Sequence, residues 1–181
     1  MNHIRVNDSI RLETVKVSMA PVIFQTIEHD RNFLRKWLPF VDLTHRISDT
    51  EDFLRGVVNQ PVTNKNEVYS IWYREEFAGL IGFKDSDWTN HKTELGYWIA
   101  KKMQGKGIVT SSLKELLKLS FTRLRFNRIQ IKVAVENTKS AAVAQRLGFK
   151  MEGIEREGEF HKSGYLDLQV YSLLKSEWLK Q

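Results

Sequence analysis

The chain has 181 residues and a formal net charge of +6, from 28 Lys and Arg against 22 Asp and Glu, a length that fits one domain with a sizeable core. With 41% hydrophobic residues, no apolar run long enough for a membrane helix and no signal-peptide core, we expect a folded, soluble, cytoplasmic protein. The absence of cysteine excludes disulfides, thiolate metal sites and a covalent thiol nucleophile.

The first third of the chain predicts one strand followed by two helices. Residues 10–15 alternate apolar and polar side chains, as a half-buried strand does. Pro21 suits the first turn of a helix over 21–36, for which Ser18 is the expected cap. Residues 48–51 have the spacing of a capping box, which predicts a second helix that runs to Val58.

The rest of the chain alternates between strand-like and helical periods. Gly148 ends the last predicted helix, in the left-handed position that favours glycine. The predicted elements are strands over 68–73, 77–83 and 94–100, a helix over 109–124, a strand over 129–135, a helix over 138–147, and strands over 149–155 and 167–174. We therefore predict one α/β (or α+β) domain built on a mixed sheet.

Positive charge is concentrated in residues 101–150. This segment holds 12 Lys and Arg but only two acids, a local net charge of +10, whereas the remaining residues together carry −4. Such asymmetry indicates an anionic ligand or nucleic acid, and it is equally typical of a solvated face of two helices. Charge alone does not decide between these readings.

A glycine-rich turn, K-K-M-Q-G-K-G-I-V-T over 101–110, opens this basic segment and leads into the 109–124 helix. Backbone N–H groups at a helix start bind phosphate oxygens, and glycines allow close approach. The turn is not a P-loop, because G-x-x-x-x-G-K-[ST] does not occur. It is a poor dinucleotide fingerprint, because Thr110 stands where a third glycine belongs. Alone, it either binds phosphate or simply turns the chain.

Four ordered motifs resemble the GNAT acetyltransferases, and within them the ribosomal-protein-alanine/serine (RimJ/RimL-like) branch. They are E-L-G-Y-W-I at 94–99, Q-G-K-G-I at 104–108, N-T-K-S at 137–140 and R-L-G-F at 146–149. The acetyl-CoA motif of the superfamily is matched at Gln104 and Gly107 and departs at Val109, where Gly or Ala is usual. The resemblance implies a single domain over 1–181 with a GNAT-like mixed, mostly antiparallel central sheet and helices on both faces.

The resemblance also implies where acetyl-CoA, the expected co-substrate, is held. The edge of the strand at Trp98 and Ile99 would pair with the pantetheine arm. Asn137 would bond the pantetheine amide, and it is equally an expected cap for the 138–147 helix; the two roles can coexist. The pyrophosphate would be held by the backbone of Gln104, Gly105, Lys106, Gly107, Ile108, Val109 and Thr110.

For catalysis, the resemblance places the general acid at Ser140, whose hydroxyl would donate to the departing thiolate; a serine that only caps or packs is the alternative. Glu159 matches the proposed base of RimL-like enzymes, and Glu94 is the second candidate; either could instead be a solvated carboxylate. Trp37, Trp88 and Asn90 are candidate acceptor-binding residues, with core or loop roles as the alternative. The five histidines lack metal-ligand spacing, so no metal is expected.

We expect acetyl transfer to the N-terminal amine of a protein, ribosomal by resemblance only, through direct attack in a ternary complex. A small amine (polyamine, amino sugar or aminoglycoside) is the alternative acceptor; Asp49, Glu51 and Asp52 could supply acids for a polyamine. A nucleic-acid-binding module using residues 101–150 ranks third, because it does not explain Gly105, Gly107 and Asn137. We expect no membrane partner, and a homodimer is a further expectation, since close relatives often dimerise.

Overall fold

The computed structural model describes residues 3–61 and 66–180. The strands are β1 His3–Arg5, β2 Ile10–Thr14, β3 Val68–Tyr73, β4 Glu76–Asp87, β5 Lys92–Ile99, β6 Arg128–Ala134, β7 Lys150–His161 and β8 Gly164–Leu174. The helices are α1 Ala20–Leu34, α2 Ile47–Val58, α3 Ile108–Thr122, α4 Thr138–Arg146 and α5 Lys175–Trp178. No helix in these described ranges is long and apolar enough to cross a membrane.

The strands form one sheet in the order β1-β2-β3-β4-β5-β6-β8-β7. The pairs β1–β2, β2–β3, β3–β4, β6–β8 and β7–β8 are antiparallel. Strands β5 and β6 are parallel, with Glu94 opposite Gln130. Because a parallel pair needs a crossover, α3 lies between β5 and β6 in the chain. This mixed, mostly antiparallel sheet confirms the predicted fold class.

The residues group into two compact units, and the first comprises Met1–Gly82 and Tyr97–Ile108. Its core joins one face of α1, spaced as Ile23, Ile27 and Leu34, to residues of α2, β4 and β5. These positions are four and seven residues apart, as expected for a helix with one apolar face. Burial of this face holds α1 beside the end of β5, where the glycine-rich turn begins.

The second unit comprises Phe83–Gly96 and Val109–Gln181. Strand β6 buries Ile129, Ile131 and Val133 at alternate positions, and its register sets Ile131 opposite Tyr171 and Ile129 opposite Leu173 of β8. Side chains opposite one another in a ladder share a face, so these residues form one apolar surface. The fixed register determines which residues of β7 and β8 reach the end of the sheet next to α4.

The predicted helices and strands are confirmed in type and order, but the N-caps predicted for the first two helices are wrong. Ser18 lies inside a short 3-10 turn, Val17–Met19, and Met19 precedes α1 without a side-chain cap. Helix α2 begins at Ile47, and the Asp49 carboxylate accepts the N–H groups of His45 and Arg46. A 3-10 turn therefore stands in place of a side-chain cap before α1, and at α2 the Asp49 side chain binds the two residues that precede the helix.

Candidate functional site

The glycine-rich turn starts where β5 ends and leads directly into α3. A 3-10 turn over Lys101–Met103 is followed by Gly105 and Gly107 with φ of 75° and 71°. A Cβ on either glycine would meet nothing within 4 Å. Glycine is therefore required by the left-handed backbone and not by crowding. Both glycines are exposed, so the backbone of the turn is accessible to solvent immediately before the 15-residue helix α3.

Two hydrogen bonds fix the start of this turn within the first unit. The N–H of Ala100 donates to the carbonyl of Ala78 at 2.7 Å. The N–H of Lys101 donates to Oδ2 of Asp30, also at 2.7 Å. Asp30 lies on α1 and is 6% exposed. A buried carboxylate that accepts a backbone N–H is a strong local constraint, and Asp30 was not among the residues singled out from the sequence.

Two of the three lysines of the turn, Lys102 and Lys106, have side-chain partners. Lys102 forms an ion pair with Glu76. The Lys106 ammonium lies 5.3 Å from the ring centroid of Tyr73 and 3.6 Å from the sulfur of Met103. A cation over an aromatic face is attracted by the ring quadrupole. Lys102 and Lys106 are therefore both engaged within the protein, whereas the backbone at Gly105 and Gly107 is exposed.

The strand edge before the turn presents its backbone, because its tryptophan side chain is buried. Trp98 is 8% exposed, and its ring lies 5.9 Å from that of Phe77. A Cβ on Gly79 would come within 2.1 Å of the Trp98 carbonyl oxygen. Glycine at position 79 is therefore what permits this close approach of β4 to β5. The side chain of Trp98 is therefore not available to a ligand, whereas that of Ile99 is half-buried.

In the second unit, the first turn of α3 is joined to the last turn of α4. Nη1 of Arg146 donates to Oγ1 of Thr110 at 3.2 Å. This brings a guanidinium to the start of α3, immediately after the glycine-rich turn. The sequence did not predict a ligand role for Arg146. It is the last residue of α4, four positions before β7 begins at Lys150, and nothing in that position indicates a binding role.

The start of α4 confirms Asn137 as a helix cap. Its Oδ1 accepts the N–H of Ser140 at 3.2 Å, and its carbonyl accepts the N–H of Ala141 at 3.0 Å. Ser140 is half-buried in the first turn. Since the cap uses only Oδ1, the side-chain amide nitrogen of Asn137 can still serve a ligand. The hydroxyl of Ser140 lies at the positive end of α4, where developing negative charge is stabilised.

The two candidate bases have different surroundings. Oε2 of Glu159 lies 2.8 Å from Nε2 of His161, and the Glu159 side chain is 32% exposed, whereas that of His161 is 4% exposed. Glu94 is 3% exposed as a residue. Lys84 Nζ contacts one of its oxygens at 2.7 Å, and Nε2 of Gln130 donates to the other at 3.0 Å. Glu94 thus has both oxygens engaged, while Glu159 keeps an accessible face.

The candidate acceptor residues lie at separate places in the chain. Trp37 is half-buried in the turn after α1. Trp88 packs against Phe126, with ring centroids 4.7 Å apart, and its indole Nε1 is buried without a hydrogen-bond partner in the described residues. Asn90 bonds Asp87 through its backbone N–H and its side chain, and these bonds lower the pKa of Asp87. Trp88 and Asn90 therefore have structural contacts in addition to any contact with an acceptor.

Acidic and histidine side chains do not gather into a metal-binding group anywhere in residues 3–61 and 66–180. The first unit contains the exposed glycine-rich turn, and the second contains Ser140 at the start of α4 and the partly exposed Glu159. The family model for the acetyltransferase (GNAT) domain matches residues 9–150 of this chain. The chain therefore belongs to the GNAT family and is an acetyltransferase.

Several named proteins are similar to the chain over nearly its full length. YdaF of Bacillus subtilis, provisionally named a ribosomal N-acetyltransferase, is 33% identical over 175 residues, 96% of both chains. The ribosomal-protein-serine acetyltransferase of Escherichia coli is 28% identical over 93% of this chain and 94% of that protein. The spermidine N(1)-acetyltransferase of Vibrio cholerae is 30% identical over 86% of this chain and 87% of that protein.

Solved structures agree with this family assignment. RimL, the ribosomal L7/L12 alpha-N-protein acetyltransferase, in complex with coenzyme A, superposes with a TM-score of 0.92 at 26% identity, covering 97% of this chain and 99% of RimL. The microcin C7 self-immunity acetyltransferase MccE, solved with acetyl-CoA and AMP, gives 0.89 at 29% identity, covering 96% of both chains. In that RimL structure coenzyme A forms a disulfide with a cysteine, a bond that this cysteine-free chain cannot make.

Proposed function

We propose that this enzyme acetylates the N-terminal α-amino group of a ribosomal protein, using acetyl-CoA. The observation that carries the proposal is the exposed turn with Gly105 and Gly107 before α3, which follows the end of β5, where the Trp98 side chain is buried. The named activities of the Escherichia coli relative and of RimL support this acceptor. An α-amino group with a pKa of about 8 also needs little help to lose its proton near neutral pH.

We further propose the residues that hold acetyl-CoA. The backbone N–H groups of residues 104–110 bind the pyrophosphate, and Arg146, joined to Thr110, adds a guanidinium beside them. The backbone of Trp98 and Ile99 pairs with the pantetheine arm as an added strand would. The amide nitrogen of Asn137 donates to the same arm while Oδ1 caps α4.

The proposed chemistry is one direct transfer. The amine nitrogen attacks the thioester carbonyl carbon, and Glu159, directly or through one water, accepts the proton that the nitrogen loses. The carbon–sulfur bond then breaks, and the Ser140 hydroxyl donates a proton to the thiolate. The products are an acetamide and free coenzyme A. We choose Glu159 over Glu94 as the base because both oxygens of Glu94 are already engaged and buried.

Acetyl transfer to a polyamine is a second candidate function, supported by the similarity to a spermidine acetyltransferase. The contacts of the proposed acids count against it. Glu51 and Asp52 both pair with Arg55, and Asp49 accepts two backbone N–H groups at the start of α2. A polycation would have to displace these partners. Trp37, Trp88 and Asn90 remain our candidates for contacts with a peptide acceptor.

Two further proposals concern domain organisation and oligomeric state. We propose that residues 1–181 form a single domain, because β4 and β5 each contribute residues to both compact units and neither unit has a complete sheet alone. A single cooperative transition in urea, seen alike by fluorescence and circular dichroism, would agree with this. We also propose a homodimer, which light scattering after gel filtration would detect as about twice the 21.2 kDa chain mass.

The function is tested first by binding and then by acceptor choice. Isothermal titration with acetyl-CoA should give a Kd in the micromolar range, and inorganic pyrophosphate should bind far more weakly. Peptides starting with Ser, Ala or Met are then compared with spermidine at equal concentration. If acetyl-CoA does not bind, or if any polyanion binds equally well, the acetyltransferase assignment fails. Preference for spermidine over every peptide would instead select the second candidate.

A further inference from the structure

Strand β7 carries an unusual bulge immediately before Glu159. In the register with β8, Glu155 lies opposite Leu168 and Glu159 lies opposite Leu166, so three residues of β7 face Asp167 alone. Glu157, in the middle of the bulge, has φ of 52°. An extra loop of this kind interrupts the ladder and changes the direction of the following side chain. The orientation of Glu159 therefore depends on how firmly the bulge is held.

Asp167 holds the bulge through its side chain. Its Oδ1 accepts the N–H of Glu157 at 2.7 Å. A residue in the bulge has lost its ladder partner, so its backbone N–H needs another acceptor. A carboxylate is a strong acceptor, and this bond lies two residues before Glu159. Asp167 is the β8 residue opposite the bulge in the register, so its side chain can reach the Glu157 N–H across the interrupted ladder.

The same residue holds a second segment through its backbone. The carbonyl of Asp167 accepts the N–H of Val135 at 3.0 Å, two residues before the cap Asn137. Gln169, two residues further along β8, donates from Nε2 to the Val135 carbonyl at 3.2 Å. Val135 therefore has both backbone groups bound to β8. The segment that leads into the helix carrying Ser140 is fixed by these two bonds.

A side-chain relay extends this attachment to α4 itself. The hydroxyl of Tyr171 donates to Oε1 of Gln169 at 2.5 Å, and Nε2 of Gln145 on α4 donates to the Tyr171 oxygen at 3.3 Å. Tyr171 is 2% exposed, so these bonds lie in a largely desolvated place. Strand β8 thus binds the segment before α4 through Asp167 and Gln169, and it binds Gln145 near the end of α4 through Tyr171. On its β7 side it binds the bulge through the Asp167 side chain.

We propose that Asp167 is a positioning residue, which sets the geometry of the Glu159 carboxylate relative to Ser140 by holding the bulge and the entry to α4 on one strand. This inference rests on the proposed roles of Glu159 and Ser140. Asp167 does not touch the substrate; it acts through Glu159. Misplacement of a catalytic group by about 1 Å can cost up to about 100-fold in rate.

The test compares Asp167→Ala with Asp167→Asn in the full-length enzyme with acetyl-CoA and its best peptide. Asp167→Ala should lower kcat about tenfold with the KM for acetyl-CoA within about twofold, a partial form of that misplacement loss. Asp167→Asn keeps an acceptor oxygen and should stay within about threefold of the parent kcat. Asn7→Ala is the matched control, because Asn7 Oδ1 accepts the N–H groups of Ser9 and Ile10 in the β1–β2 turn; its kcat should not change.

A mutant cycle separates positioning from general loss of structure. If Asp167 acts through Glu159, Asp167→Ala should add little further loss of kcat in a Glu159→Gln background. Equal losses in both backgrounds, or parent-like kcat in Asp167→Ala, would overturn the proposal. Asp167→Ser stays polar at this exposed position, but its shorter side chain does not reach the Glu157 N–H, so it gives the same test if the alanine variant folds poorly.

Failure of the proposed function would look different. Absence of acetyl-CoA binding by the parent enzyme refutes the function itself. Full activity of Glu159→Gln refutes the base assignment and, with it, the route by which Asp167 acts. A parent enzyme that is active and a Glu159→Gln variant that is impaired leave only the role of Asp167 to be decided by the cycle.

Discussion

Replacing Asp30 by Ala should weaken acetyl-CoA binding although the residue lies on α1, outside the glycine-rich turn. Its carboxylate is 6% exposed and accepts the N–H of Lys101 at 2.7 Å. Without it, this N–H loses its partner in partly buried surroundings, which costs about 1–3 kcal/mol. This free-energy cost destabilises the ordered conformation of residues 101–107 relative to other conformations of the turn. The ordered conformation is the one that we propose binds the pyrophosphate.

The size of the effect follows from the population of the ordered turn. If only a fraction of the free protein has the turn ordered, the apparent Kd rises by the reciprocal of that fraction. A cost of about 1–3 kcal/mol sets a ceiling of roughly 5- to 150-fold. The bond from Ala100 to Ala78 and the burial of Met103 persist in the variant, so we expect about tenfold, near the lower end of this range.

The assay is isothermal titration of Asp30→Ala and Asp30→Asn with acetyl-CoA, together with kcat at saturating acetyl-CoA. Asp30→Asn retains an acceptor oxygen and should raise Kd only about twofold. Asp49→Ala is the control, since Asp49 also accepts backbone N–H groups in the first unit but at the start of α2. An unchanged Kd in Asp30→Ala, or an equal rise in Asp49→Ala, would refute the reasoning.

Three further predictions concern the turn, the sheet and pH. Gly105→Ala should raise the KM for acetyl-CoA severalfold, because φ is 75° and alanine disfavours this left-handed conformation even though its Cβ would have open space. Gly105→Asn should raise the KM less, because asparagine adopts the left-handed conformation more readily. Gly79→Ala should lower the melting temperature by several degrees in calorimetry, because its Cβ would come within 2.1 Å of the Trp98 oxygen. Hydrogen bonds from Arg128 and then Ser172 lower the pKa of Glu152 to about 2 from 4.5. Its contribution to stability is therefore present above pH 4.5 and lost as the pH falls through 2. Since Glu152 is 44% exposed, urea unfolding should show a parent–Glu152→Gln difference of about 1 kcal/mol at pH 7 that disappears by pH 2; a constant difference would contradict this.

Local patterns in the sequence were enough for most of the helices and strands, although β1 and α5 were not predicted. The alternation of 129–135 and the three- and four-residue steps of 109–124 predicted β6 and α3, because burial on one face imposes those periods. The cap at Asn137 was predicted for the same reason, since its partner lies three residues away. Each of these features involves neighbours along the chain, so each leaves a signature in sequence.

The residues that hold the site in place had no such signature. Asp30 and Lys101 are 71 positions apart, and Asp167 acts on Glu157 and Val135 through a register that only the folded sheet defines. The β7 bulge was invisible, because nothing in E-R-E-G-E marks which residues oppose Asp167. Single acids in the helix and strand segments look like solvated charges until their partners are known.

The basic segment 101–150 illustrates how the fold changes the meaning of a charge count. Lys102, Arg128, Lys132 and Lys150 each pair with an acid from outside the segment, namely Glu76, Glu152, Glu155 and Glu177. These pairs remove four of the ten excess positive charges that the sequence assigned to an anionic partner. A nucleic-acid site requires lysines and arginines that are available to successive phosphates. Part of the charge excess therefore reflects ion pairs with acids outside the segment. We propose that the exposed backbone of the glycine-rich turn, rather than the summed charge, receives the phosphates of a single coenzyme.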